Sequence, residues 1–264
     1  IYYVATTDTG DTYIAKIQSG GASSVAITPG APIETSALHP PPLTSLFAVQ
    51  QVAGTYQVVR FAPNGGPSTL VFSGTDEEID ELALVPNLGA AGSLLYTRYR
   101  TGGNGDLWRL DFSSNTQSRL TDGAADDAAP SVSPDGATLV WSRNGNLVEA
   151  PLAGAPAGRR NLGGSASPIP GRRPGHSNDG RYVVYERDGA GSGEIWRVNT
   201  DGTGAVRIAT NGRRPRISPD STRVVYESEG GSGEKPLVLR IVPIDGGAPT
   251  RLPTAERYSR KPTW

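Results

Sequence analysis

Short runs of apolar residues recur along this chain of 264 residues, and the clearest of them follow polar turns. Three such turns are Ser133–Gly136, Ser177–Gly180 and Ser218–Ser221, and after each come two spacer residues, two aliphatic residues and one aromatic residue. Ser-Pro-Asp-Gly suits a type I turn, because Pro presets φ at the second position and Gly closes the turn. The apolar run after each turn predicts a short, buried β-strand.

These turns repeat with a nearly constant period, since they start 44 and then 41 residues apart. A period of this size is typical of a repeat protein. Within each period the apolar run is followed by another strand, such as Glu194–Val198 or Asp106–Leu110, and then by a short outer strand such as Val206–Ala209. Each repeat therefore predicts four antiparallel strands, and such sheets bury both faces when they pack radially against copies of themselves.

The chain length accommodates six such repeats, which predicts an all-β fold, a six-bladed β-propeller of four-stranded antiparallel blades in a single domain, residues 1–264. Arg260–Trp264 matches the first strand of a repeat and Ile1–Ala5 matches the second. Pairing of these N- and C-terminal strands in one blade would close the ring and leave no exposed sheet edge. The blades are expected at residues 258–264 with 1–28, 35–73, 77–122, 126–163, 170–210 and 212–253.

Two features accompany the strand pattern. The segment Thr28–Thr44 holds five prolines and is expected to link two blades across the surface, with a Pro-rich recognition segment as the alternative. The aromatic residues of the repeats are expected to pack between blades. They are Trp108, Trp141, Trp196 and Trp264, with Tyr185 and Tyr226.

The repeat motif resembles the TolB-type β-propeller repeat, also called the WD40-like repeat of bacterial proteins. The matching residues are the loop Arg187–Gly189, the strand start Glu194–Trp196, the turn Asp201–Gly202 and the repeat opening Pro262–Trp264. The resemblance is clear from Asp122 to the end, and over residues 1–90 it rests on strand spacing. It implies a propeller fold and a non-enzymatic role in binding a protein or peptide.

Composition narrows the classes of partner and location. The net charge of −1 does not favour nucleic acid or anionic membranes, and no apolar run approaches the ~20 residues of a membrane span. The chain contains no cysteine and no methionine, even at position 1. Removal of a signal peptide would explain the missing initiator, and trimming for another reason is the alternative. Together with the family resemblance, this predicts an exported protein that is periplasmic, on the cell surface or extracellular.

The sequence offers little support for catalysis or for a cofactor. It contains no Gly-x-Ser-x-Gly elbow, phosphate loop, dinucleotide fingerprint or zinc spacing. Of its two histidines, His39 and His176, the second occupies the position of Val132 and Ile217 in sister repeats, where a satisfied, partly buried side chain is the favoured interpretation. Gly-rich acidic loops such as Asp188–Glu194 could hold Ca²⁺, but hairpin turns need the same residues. We expect no cofactor.

One charge pattern goes beyond the fold. The two residues before the proline that opens the first strand are both basic in three successive repeats, whereas Asp80-Glu81 stands there in the third repeat and Ala128-Ala129 in the fourth. On one face of a propeller this would make a half-basic, half-acidic rim around the channel, able to bind a carboxylate terminus or an acidic peptide. The candidate ligand-binding residues are Arg172, Arg173, His176, Arg213, Arg214, Arg216, Arg260 and Lys261.

The function predicted from the sequence is therefore binding of a protein or peptide partner at the channel mouth. Two other functions remain open: a structural subunit of an extracellular or cell-surface assembly, and, less favoured, a hydrolase or lyase in the channel. An opposite interpretation of the rim is that its charges only keep a polar face soluble or pair across the boundary.

Overall fold

The computed structural model describes residues 1–18, 24–27, 33, 45–74, 77–85, 92–189, 193–232, 236–254 and 258–263. Over these residues the regular structure is almost entirely β-strand, interrupted by two 3-10 turns, Leu152–Gly154 and Leu162–Gly164. The all-β class and the antiparallel sheets predicted from the sequence are confirmed. Across the described ranges, no helix is long and apolar enough to cross a membrane.

The strands form antiparallel groups in which successive strands of the chain pair with one another. The chain begins with β1 (Tyr2–Thr6), β2 (Thr12–Lys16) and β3 (Val25–Ala26). The second group is β4 (Leu46–Val52), β5 (Thr55–Phe61) and β6 (Thr69–Ser73). The third group is β7 (Glu78–Leu84), β8 (Ser93–Tyr99), β9 (Gly105–Asp111) and β10 (Thr116–Arg119).

The second half of the chain continues this order. The fourth group is β11 (Asp127–Val132), β12 (Thr138–Arg143), β13 (Asn146–Pro151), β14 (Arg160–Asn161) and β15 (Ile169–Pro170). The fifth group is β16 (Arg172–His176), β17 (Tyr182–Arg187), β18 (Glu194–Asn199) and β19 (Val206–Thr210). The sixth group is β20 (Gly212–Ile217), β21 (Arg223–Glu229), β22 (Leu237–Pro243) and β23 (Thr250–Arg251).

The last strand, β24 (Tyr258–Thr263), pairs antiparallel with β1 at the other end of the chain. Val4 lies opposite Arg260 and Ala5 opposite Ser259. The first group is therefore β24, β1, β2 and β3. A single parallel contact between Leu237 and Tyr258 connects it to the sixth group.

The apolar core lies between the groups. Tyr185 packs with Leu147 of the fourth group, and Tyr226 packs with Ile195 of the fifth. A further cluster joins Val225 of the sixth group to Tyr3 of the first. Because each sheet buries its faces against a neighbouring sheet, no single group carries a core of its own.

The predicted aromatic packing between groups is found for five residues, three of them fully buried. Trp141, Tyr185 and Tyr226 are fully buried in clusters between neighbouring groups. Trp108 and Trp196 are only partly buried, and each lies beneath a guanidinium from the adjoining strand. Trp264 lies outside the described residues, as does most of Thr28–Thr44, of which Ile33 forms a backbone bridge with Gln50.

The first strands of five groups share a β-bulge. In each of these groups the pairing between the first and the second strand shifts register partway along. The first strands concerned are β7, β11, β16, β20 and β24. A non-glycine residue with φ between 49° and 59° lies at each bulge. Such a bulge redirects side chains toward one face of the strand. The five residues are Glu81, Ala129, Arg173, Arg214 and Lys261.

Candidate functional site

A cavity of about 620 Å³ opens where the first strands of the fifth, sixth and first groups begin. These strands lie side by side, β16 next to β20 and β20 next to β24. Each contributes its two consecutive cations, and carboxylates and loop residues complete the lining. We call this the basic cavity; it is lined by Arg172, Arg173, Arg213, Arg214, Arg260, Lys261, Glu186, Glu227, Asp188, Gly189, Gly193 and Leu237.

The structure thus brings together six of the eight residues singled out in the sequence. His176 and Arg216 are not among the residues that line the basic cavity. Arg216 is half-buried farther along β20, where Nη1 donates to the Pro215 carbonyl at 3.0 Å and burial lowers the guanidinium pKa. His176 ends β16, toward the turn that leads into β17.

The second cation of each pair lies at the bulge and is ion-paired. We call Arg173, Arg214 and Lys261 the inner cations. Arg173 contacts Glu81 at 3.0 Å and Glu186 at 3.1 Å. Lys261 contacts Asp80 at 3.0 Å, and Arg214 lies between Asp80 at 3.7 Å and Glu227 at 3.6 Å.

Two of the four carboxylates that contact the inner cations, Asp80 and Glu81, come from the third group. Asp80 and Glu81 are buried, with 5% and 4% of their surface exposed. Burial alone raises the pKa of Asp80, but the charges of Lys261 and Arg214 outweigh it and hold that pKa well below its usual range. Asp80 and Glu81 therefore form a buried layer of ion pairs with the inner cations, the second residue of each basic pair.

Buried side chains at equivalent positions of the second strands accept hydrogen bonds from the backbone of the next group. Glu186 accepts from the backbone N–H of Arg214 at 3.1 Å, and Glu227 accepts from the backbone N–H of Lys261. In the third group Thr97 accepts from the N–H of Ala129 at 2.9 Å. Each acceptor thus holds the bulge residue of the next group in place. Glu186 and Glu227 therefore have a structural role as well as a charge in the cavity.

The first cation of each pair has a different environment. We call Arg172, Arg213 and Arg260 the outer cations. The side chain of Arg172 is 54% exposed and lies 3.6 Å from the exposed carboxylate of Asp188. Arg213 is exposed, and the buried Nε–H of Arg260 donates to no acceptor within the described part of the chain. Among the described residues, no carboxylate neutralises these three charges in the way that Asp80 and Glu81 neutralise the inner cations.

His176 is a hydrogen-bonded residue between two groups. Its backbone N–H donates to Ser131 Oγ at 3.0 Å, and its Nδ1 lies 3.1 Å from the same oxygen. Burial lowers the pKa of His176 to about 4, although the charge of Asp135 opposes this shift. The imidazole is therefore neutral at pH 7, as the interpretation of a satisfied, partly buried histidine requires.

The acidic Gly-rich loops do not assemble into a metal centre in the ranges that the structure describes, where no three His, Cys, Asp or Glu residues converge. In the loop ending at Asp106, that carboxylate pairs with Arg100 at 2.5 Å and Arg119 at 2.8 Å. These two arginines already contact the carboxylate that a metal ion in this loop would need as a ligand. The expectation that the protein uses no cofactor stays a prediction.

Sequence reasoning missed Glu186 and Glu227, although the repeats contain a signal for them. Both residues directly follow the aromatic residue of the recurring strand, Tyr185 or Tyr226. The alignment of repeats stopped at that aromatic position and would have revealed the two carboxylates one residue later. The difference between inner and outer cations left no such signal.

No family model matches the sequence, and no curated protein sequence matches it either. The fold is nevertheless similar to solved structures. TolB from Acinetobacter baumannii superimposes with a TM-score of 0.80 at 16% identity, over 100% of this chain and 65% of that chain. This chain therefore spans just under two thirds of that protein's length.

Two further solved structures agree with this comparison. A putative TolB from Agrobacterium tumefaciens gives a TM-score of 0.60 at 18% identity, covering 95% of this chain and 87% of that one. A chain of a nidogen/laminin complex gives 0.62 at 13% identity, covering 81% and 79%. Identities this low concern the fold alone. With its antiparallel sheets packed face to face, the chain has a TolB-like β-propeller fold.

Proposed function

We propose that the six strand groups are the blades of one closed propeller, residues 1–264. Two observations support this. The apolar clusters run from each group to the next and return from the sixth group to the first. In addition, β24 from the end of the chain pairs with β1 from its beginning. The first strands would then surround the central channel, with the basic cavity at its mouth.

We further propose that this propeller is a non-enzymatic binding protein that takes an acidic segment of a protein or peptide at the basic cavity. The observation that carries the proposal is the set of outer cations, three arginines whose charges the carboxylates of the described residues leave largely unneutralised. Guanidinium groups bind carboxylates through paired, charge-assisted hydrogen bonds. An acidic segment would therefore give the outer cations carboxylate partners of the kind that the inner cations already have.

The arrangement of carboxylates favours binding over catalysis. Glu186 and Glu227 each hold a backbone N–H of the next group, and Asp80 and Glu81 each hold an inner cation. A general acid or base has to exchange its proton with a substrate, which these engaged groups are poorly placed to do. We propose export as the setting of this function, on the resemblance of the repeats to the TolB type.

The proposal is tested with a variant in which the outer cations Arg172, Arg213 and Arg260 become Ser. We expect the protein to bind acidic peptides in a salt-sensitive manner, because screening weakens charge pairs at an open mouth. The triple variant should lose at least tenfold in affinity, since each charged hydrogen bond contributes about 1.5–3 kcal/mol. Fluorescence anisotropy of labelled acidic and basic peptides at low and high salt measures both effects.

A matched control carries the same change of net charge elsewhere. Arg60, Arg159 and Arg251 are exposed and do not line the basic cavity, so their replacement by Ser should leave peptide affinity unchanged. The inner cations are unsuitable for this test, because removing one partner of a buried ion pair destabilises the fold. Equal losses in the two triple variants, or equal binding of acidic and basic peptides, would contradict the proposal.

A further inference from the structure

We propose that the basic cavity recognises the carboxyl-terminal end of a protein partner, entering end-on, with an acidic last residue. This inference rests on the proposed function and specifies the part of the partner that is bound. It depends on three features of the described residues: the layer of ion pairs on the inner side of the cavity, the geometry by which that layer holds carboxylates, and the outer cations in front of it.

The first feature is the layer of ion pairs between the inner cations and Asp80 and Glu81, which closes the inner end of the cavity and which we call the floor. The inner cations connect strands of three different groups to Asp80 and Glu81 of the third group, so that ion pairs span the centre where the first strands meet. All members are largely buried, with side-chain exposures of 24% for Arg173 and Arg214 and 10% for Lys261. A peptide that enters the cavity meets these pairs and cannot pass beyond them without breaking them. A chain end fits such a closed site better than an internal segment, which has to leave again.

The second feature is a pair of carboxylates within the protein itself that resembles the proposed ligand. Asp80 and Glu81 are consecutive residues, and between them they engage all three inner cations. The site therefore already holds two neighbouring carboxylates against cations from adjacent first strands. A carboxyl-terminal Asp or Glu carries its α-carboxylate and its side-chain carboxylate on one residue. It presents the same pair of charges within a short distance.

The third feature is the position of the outer cations. Each directly precedes an inner cation in the sequence, so the three strands that space the inner cations also space the outer ones. Arg172 and Arg213 are exposed, whereas Arg260 holds a buried Nε with no partner in the described ranges. A pair of carboxylates entering from outside meets the exposed guanidinium groups of Arg172 and Arg213 before it reaches the floor.

The experiment compares four forms of one acidic peptide on the whole chain by isothermal titration calorimetry. The peptide ends in Glu with a free carboxylate, in Glu with a carboxamide, or in Ser with a free carboxylate, and the fourth form places the acidic segment between two folded domains. We expect the first form to bind most tightly. The amide and Ser forms should bind about tenfold or more weakly, because each lacks one charged partner. The enclosed segment should show no binding.

The possible outcomes distinguish failure of the inference from failure of the proposed function. Equal binding of all four forms would overturn end-on recognition and keep the binding of acidic segments. Absence of binding by every form would overturn both. Inorganic phosphate that competes as well as the free-acid peptide at equal ionic strength would show a general anion site and overturn the inference. The Arg172, Arg213 and Arg260 variant should abolish the difference between free acid and amide, while the Arg60, Arg159 and Arg251 variant should preserve it.

Discussion

Neighbouring residues of the same type have different roles at the basic cavity. Arg172 and Arg173 are consecutive, yet the first is an exposed side chain near Asp188 and the second is buried between Glu81 and Glu186. The sequence could align the pair with its counterparts in two other repeats, because the following proline marks the position. It could not separate the two roles, since the partners of Arg173 lie 92 residues before it and 13 residues after it.

The same limit applies to His176. The repeat alignment placed it at a position that is apolar in sister repeats, which was enough to favour a satisfied side chain over a ligand. Its partner Ser131 belongs to the preceding group, 45 residues away. Only the packing of β11 beside β16 brings the two together, so the hydrogen bond was beyond what the pattern could predict.

A pH prediction follows for His176, whose folded-state pKa of about 4 lies below the ordinary value of about 6.5. The unfolded chain binds a proton more readily, so the free energy of unfolding should fall as pH drops from about 7 toward 4. We expect a loss of about 2 kcal/mol between pH 7.5 and pH 5. Urea denaturation at these two pH values measures it.

Two variants separate this residue from other titrating groups. His176→Val, which copies the residue at the same position in the fourth group, should remove most of the pH dependence between pH 7.5 and pH 5. His39→Gln should retain it. An unchanged pH dependence in the His176→Val variant would show that another group is responsible.

At the scale of the strand, the apolar pattern predicted the second and third strands well. Strands such as β12, β17 and β21 bury two aliphatic residues and one aromatic residue, and this burial is what the pattern records. The bulge in the first strands was not predicted. Positive φ is usually announced by Gly or Asn, whereas Arg, Lys, Glu and Ala occupy it here. Backbone strain of this kind persists only where surrounding contacts impose it, and the buried acceptors Thr97, Glu186 and Glu227 supply such contacts.

The bulge predicts opposite effects for two adjacent alanines. Ala129 has φ of 56°, whereas Ala128, next to it on β11, has no positive φ. Replacing Ala129 by Gly should leave stability unchanged or raise it by up to about 1 kcal/mol, because Gly relieves the left-handed strain. Replacing Ala128 by Gly should lower stability by about 0.5–1 kcal/mol. Equal losses in the two variants, measured by urea denaturation, would exclude strain at this bulge.

At the scale of the molecule, the period of the repeats was the decisive signal for the propeller fold. It depends on turn chemistry and burial, which every repeat must satisfy locally. The same period placed Asp80 and Glu81 on the acidic half of the rim, but it could not say which cation each of them contacts. Lys261 and Asp80 are 181 residues apart, and no local rule connects them. The sequence therefore predicted where the charges lie along each repeat and left pairing across the boundary as one of two interpretations, without identifying the pairs.

Closure of the proposed ring can be tested with a disulfide, since the chain contains no cysteine of its own. Ala5 and Ser259 lie opposite each other on β1 and β24 and are both fully buried. The double variant Ala5→Cys, Ser259→Cys should form a crosslink in the folded protein and raise its stability by about 3–5 kcal/mol, because it closes a very long loop in the unfolded chain. Thermal unfolding with and without reductant measures the gain.

A pair with shifted register serves as the control. Thr6 lies opposite Tyr258 and not opposite Ser259, so the variant Thr6→Cys, Ser259→Cys should crosslink less completely and stabilise less. Equal stabilisation by both pairs would mean that the ends of the chain are not held in this register.

The pairing of Asp80 and Glu81 with cations from three other groups has a consequence for how such a protein can arise and be redesigned. If one ancestral repeat carried a charged residue at the inner position, its duplication would place like charges together where the first strands meet, and they would repel one another. From such an ancestor, one copy has to change sign before ion pairs like those of Asp80 and Glu81 can form. A consensus sequence averaged over the repeats would erase that divergence, so an idealised version of this protein should keep the third repeat distinct.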